Sequence, residues 1–82
     1  MNSESILKDA IIKVSTKHVD ISTINDDTSI IQDLGFTSVQ IIQLLIEIEE
    51  RFGILIDDDD LELDQITIYK NLYSIIAEAL KE

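Results

Sequence analysis

Residues 33–54 read DLGFTSVQIIQLLIEIEERFGI, and the reading of this stretch decides the fold. From Ser38 to Phe52, Ile41, Leu45, Ile48 and Phe52 recur at steps of four, three and four, one face of an α-helix. Gln40, Gln43, Glu47 and Glu50 form a second, polar stripe. Val39, Ile42 and Ile46 border that stripe and exceed what a single core face needs, so the helix is expected to leave them partly exposed as a contact surface. Gly35 suits a tight or left-handed position just before the helix, and Gly53 suits its C-terminal cap.

Working outward, residues 3–17 place Ile6, Leu7, Ala10, Ile11 and Val14 on one helical face, with Ser3 and Glu4 at the start and Lys13 and Lys17 toward the end, as the helix dipole favours. Residues 18–37 are rich in Ser, Thr, Asn and Asp and hold no sustained period. They are expected to form a long loop pinned by Val19, Ile21, Ile24, Ile30, Ile31 and Leu34. The run Asp57–Asp60 suits a short helical turn near residues 58–63. Residues 67–81, opened by Thr67 as a cap, bring Ile68, Leu72, Ile75, Ile76, Ala79 and Leu80 onto a last amphipathic helix. The predicted fold is all-α: a small four-helix bundle of three main helices and one short one, with a long loop between helices one and two, in a single domain over residues 1–82.

Eighty-two residues leave room for one small core, and 45% apolar but only 5% aromatic residues make that core aliphatic. No Cys is present, so disulfides and thiolate metal sites are excluded. No apolar run exceeds three residues, as at Leu44–Ile46, and the start MNSESILKDA lacks the build of a signal peptide, so a cytoplasmic protein with no membrane span is expected. The formal charge is −11, unevenly spread: residues 1–18 set three lysines against two acids, while the other 64 residues set fifteen acids against three cations. Such a surface repels nucleic acid and anionic lipid and favours either a protein partner with a positive patch or simple solubility.

Ser38 stands at the mouth of the central helix without the usual activating partners, because the one histidine, His18, falls in the predicted loop. Gln40 occupies the place of the second glycine in a nucleophile elbow, so self-contained serine catalysis is not expected. The plain structural role is a helix N-cap; a serine held there is also at the surface, where the dipole favours a phosphate.

Leu34, Gly35, Ser38, Val39, Glu49, Glu50 and Phe52, within the helical layout above, resemble the modification-site helix of acyl carrier proteins. The resemblance spans roughly residues 3–80. It implies a carrier, not an enzyme. Ser38 would bear 4'-phosphopantetheine, delivered from coenzyme A by a phosphopantetheinyl transferase (a holo-carrier synthase) with Mg2+. The arm's thiol would hold acyl or aminoacyl groups as thioesters, supplied by a loading ligase and passed to downstream synthases or transferases. The resemblance also assigns the partner face: Val39, Ile42 and Ile46, flanked by Gln40, Gln43, Glu47, Glu49 and Glu50, against basic patches on the partner. Carriers of this type are usually monomers. Ile41, Leu45, Ile48, Phe52, Leu61, Ile68, Leu72 and Ile76 either fill a dry core or part around a bound chain.

Two positions depart from the fatty acid and polyketide carriers: Thr37 stands where Asp is common, and Gln40 and Gln43 stand where fatty acid carriers often place acids. Both favour a free-standing carrier of a specialised polyketide or nonribosomal-peptide type pathway over the general fatty acid carrier. The alternative is an unmodified acidic adaptor of the same fold. An EF-hand fails, because a loop begun at Asp58 would put Leu63 sixth and Tyr69 twelfth.

Overall fold

The computed structural model describes residues 3–56 and 66–80. Among them are three α-helices and no named strand: α1 (Ser3–Val14), α2 (Ser38–Phe52) and α3 (Tyr69–Leu80). The short helix expected over residues 58–63, together with Leu61 and Asp57–Asp60, lies outside the described residues.

α1 stops three residues short of the predicted Lys17. The Ser15 hydroxyl accepts from Lys17 N at 3.2 Å and donates to Lys17 O at 2.7 Å. A hydroxyl bonded to nearby backbone offers the chain an alternative to the next helical turn. Residues 15–37 are then folded by similar local bonds around a 3-10 turn, Ile21–Thr23, capped by Asp20. A second turn is fixed by Ser29 and Asp33, whose backbone N–H groups donate to Asp33 Oδ2 and Ser29 O, both at 2.8 Å. Gly35 closes it in the left-handed region at φ +74°, with its N–H on Ile31 O at 3.1 Å. Of the expected anchors, Ile24 and Ile30 are buried, while Val19, Ile31 and Leu34 pack at the core's margin and Ile21 is exposed. Phe36 is a further buried anchor that periodicity did not single out.

This segment also builds the start of α3. Ile30 N donates to Thr67 O at 2.7 Å, Tyr69 N to Thr28 O at 2.9 Å and Lys70 N to Asp26 O at 3.1 Å. Two N–H groups that a helix start leaves unpaired are thus satisfied by backbone 41 and 44 residues upstream in the chain. That is why α3 begins at Tyr69 and not at the expected Thr67, which is itself buried.

The core is aliphatic, as the composition requires. Leu7, Ala10 and Ile11 of α1, Ile41, Leu44 and Ile48 of α2, and Leu72 and Ile76 of α3 form one buried cluster with Ile24, Ile30, Ile56 and Ile66. Each such side chain contributes roughly 1.5–3 kcal/mol on burial. Two expectations change: Leu44 takes the central place assigned to Leu45, which with Phe52 packs at the margin, and Ile68 is half-buried. Tyr69 joins the core at 1% exposure, and its hydroxyl finds no hydrogen-bond partner among the described residues.

Candidate functional site

The head of α2 is built by a reciprocal cap. Thr37 is the N-cap, with φ −89° and ψ 171°. Its hydroxyl accepts from Gln40 N at 3.2 Å, and Gln40 Oε1 accepts from Thr37 N at 2.9 Å. Gln40 Nε2 also donates to Val14 O at 3.4 Å, tying this helix head to the last turn of α1. The capping role read for Ser38 therefore belongs to Thr37. Sequence reading missed this, although Thr37-Ser-Val-Gln40 is the T-x-x-Q form of the capping box. Ser38 becomes the first helical residue, exposed, and its hydroxyl hydrogen-bonds to no described residue. A hydroxyl released from structural duty is one that can be modified without opening the fold.

The surroundings suit an anionic substituent. The positive end of the α2 dipole lies at Ser38, and the first turn of α2 holds no acid. A phosphodiester fits this helix head. Lys17 Nζ comes within 3.3 Å of where a Cβ on Gly35, three residues before Ser38 in the chain, would stand. His18 is exposed on the preceding segment.

Along the solvent face of α2, Val39, Ile42 and Ile46 are 64%, 59% and 52% exposed, and Leu55, beyond the helix end, is 90% exposed. Gln43 and Glu50 are also exposed. Gln40, Glu47 and Glu49 are occupied within the fold. Glu47 Oε2 pairs with Arg51 Nε at 2.7 Å and with Lys13 Nζ of α1 at 3.3 Å. The hydrogen bond from Arg51, with help from Lys13, holds the Glu47 carboxyl below the usual range. Glu49 Oε2 accepts from Ile56 N at 2.8 Å, fastening the chain that leaves α2. Among the described residues no cluster of His, Cys or carboxylates could hold a metal ion, and no helix is long and apolar enough to cross a membrane.

α2 thus displays an exposed serine at its head beside an exposed apolar stripe, and comparison with known proteins gives the chain its family. Residues 7–77 match the model of the phosphopantetheine attachment site. The chain is 40% identical over 52 residues to an acyl carrier protein of Desulforapulum autotrophicum, covering 63% of this chain and 68% of the relative. It is 34% identical over 62 residues to that of Thermotoga maritima, covering 76% and 74%. With that of Petrotoga mobilis it shares 32% over 69 residues, covering 84% and 79%. The chain belongs to the acyl carrier protein family, whose members are carriers and not enzymes and whose prosthetic group is 4'-phosphopantetheine.

Proposed function

We propose that Ser38 is the residue that bears the arm, and that this carrier serves a specialised pathway. The observation that carries the assignment is the division of labour at the α2 head: Thr37 and Gln40 hold the cap, so the exposed Ser38 hydroxyl stays free. In the transfer, Ser38 Oγ bonds to the pantetheine-side phosphorus of coenzyme A, the pyrophosphate linkage breaks, and adenosine 3',5'-bisphosphate leaves. The serine proton passes to a base on the transferase, which also brings Mg2+. Once attached, the arm's thiol holds acyl or aminoacyl groups as thioesters.

The chain's own residues do three things in this reading. The capping box fixes the helix head, the α2 dipole favours the phosphodiester's charge, and Val39, Ile42, Ile46 and Gln43 meet partner enzymes, with Glu50 at the far end of that face. Partners are the transferase, a loading ligase and a downstream synthase or transferase. The carrier acts as a cytoplasmic monomer. Support for a specialised pathway comes from the neutral Thr37, Gln40 and Gln43. Proteolysis of the modified protein followed by fragment sequencing tests the attachment site: the arm is expected on Ser38, and finding it on Ser22, Ser29 or any other hydroxyl would refute the assignment.

A further inference from the structure

One side-chain amide joins two helix ends beside Ser38. Gln40 Oε1 accepts from Thr37 N at 2.9 Å, and Gln40 Nε2 donates to Val14 O at 3.4 Å. Thr37 caps the head of α2, where free N–H groups make the positive end; Val14 is the last residue of α1, where free carbonyls make the negative end. The amide therefore points its oxygen at α2 and its nitrogen at α1. Chemistry fixes that orientation, because an N–H is met only by an acceptor and a carbonyl only by a donor. Gln40 and Val14 are both half-buried, so water competes less for these bonds than at an exposed site. Ser38 stands inside the ring that Thr37 and Gln40 close. A second tie between the same helices, the Lys13–Glu47 ion pair at 3.3 Å, lies about two turns further along α2 and uses an exposed lysine, an arrangement that contributes little.

We propose that Gln40 is a positioning residue for the modification of Ser38: its amide holds the α2 head, and with it the Ser38 hydroxyl, in place against the end of α1. This role rests on Ser38 being the attachment point. Transfer needs Ser38 Oγ to meet the phosphorus of a coenzyme A held on the transferase, and a displacement of about 1 Å in such a geometry can cost a hundredfold in rate. Gln40 acts through the helix head, since its side chain bonds to Thr37 and Val14. A capping box asks only for an acceptor at residue 40, which glutamate supplies as well as glutamine. The bond to α1 asks for a donor, which a carboxylate lacks. Gln40→Glu therefore keeps the cap and cuts the tie, setting a negative oxygen against the Val14 carbonyl.

The test has two arms on the full-length apo protein. In the first, amide hydrogen exchange is followed by NMR with no partner present. Thr37 N reports the capping box, and Ser15 N, which donates to Ile11 O at 3.0 Å, reports the end of α1. In Gln40→Glu the Ser15 amide is expected to exchange at least fivefold faster than in the parent, while those of Thr37 and the buried Ile48 stay within twofold. In Gln40→Met, which lacks the donor and the strong acceptor, Ser15 and Thr37 should both quicken. In the second arm, initial rates with coenzyme A, Mg2+ and a broad-specificity phosphopantetheinyl transferase should show kcat at least fivefold lower in both variants, with KM not raised. Unchanged Ser15 exchange in Gln40→Glu, or unchanged kcat in both variants, would overturn the proposal. So would a raised KM at unchanged kcat, which would make Gln40 a partner contact. Absence of any mass gain in the parent removes the carrier reading and the positioning role with it; the exchange arm needs no transferase, so that failure is distinct from loss of the tie.

Discussion

Thr37 and Ser38 are neighbours that divide two jobs, and single substitutions separate them. Thr37→Ala removes the hydroxyl that accepts from Gln40 N and is expected to lower stability by about 1 kcal/mol, whereas Thr37→Asp, an equally good cap, leaves it nearly unchanged; thermal unfolding of the two variants checks this. Gly53 holds φ +67° with open space around its absent Cβ, so Gly53→Ala should cost only the left-handed penalty of about 1–2 kcal/mol. Gly35→Ala adds a contact with Lys17 Nζ at 3.3 Å. Its excess over Gly53→Ala should shrink when Lys17→Ala is combined with it, and additivity in that cycle would show that the contact carries no energy. Tyr69→Phe removes a buried hydroxyl without a partner among the described residues. It is expected to be neutral or to raise stability by up to about 1 kcal/mol, and a clear loss would mean that the hydroxyl is bonded.

At the scale of the element, α2 was the most legible part of the sequence. Its period, its Gly53 terminator and its surplus apolar residues all follow from the order of side chains, and the structure places Val39, Ile42 and Ile46 on the solvent face. The choice of Leu44 over Leu45 was not legible, because Ile41, Leu44 and Ile48 satisfy the same helical period as Ile41, Leu45 and Ile48. The start of α3 was hidden for a similar reason: its first amides bond to Thr28 and Asp26, contacts that no local pattern announces. The Glu47–Arg51 pair could be read from i,i+4 spacing, but the share taken by Lys13 could not. That triad makes a pH-dependent prediction. The Glu47 carboxyl titrates lower in the folded than in the unfolded chain, so its stabilisation is present above the ordinary carboxylate range and is lost as pH falls through the depressed value. Parent and Glu47→Gln should differ in melting temperature at neutral pH and converge in acid; a constant gap would place the effect elsewhere.

For the whole molecule, the described residues form an aliphatic core closed by backbone bonds between the first connecting segment and α3. Its interior and its contact face should therefore respond to opposite parts of α2. Leu44→Ala, at 1% exposure, is expected to cost about 2–5 kcal/mol, whereas Ile42→Ala should stay within about 0.5 kcal/mol. The central claim is that this small body serves to hold one modifiable serine free at the head of α2. The most direct measurement is intact mass after incubation with coenzyme A, Mg2+ and a phosphopantetheinyl transferase, with Ser38→Ala alongside. The account predicts a gain of one phosphopantetheine in the parent and none in the variant. An equal gain in both proteins, or none in a parent that is folded and helical, would contradict it, the second outcome leaving an unmodified adaptor in its place.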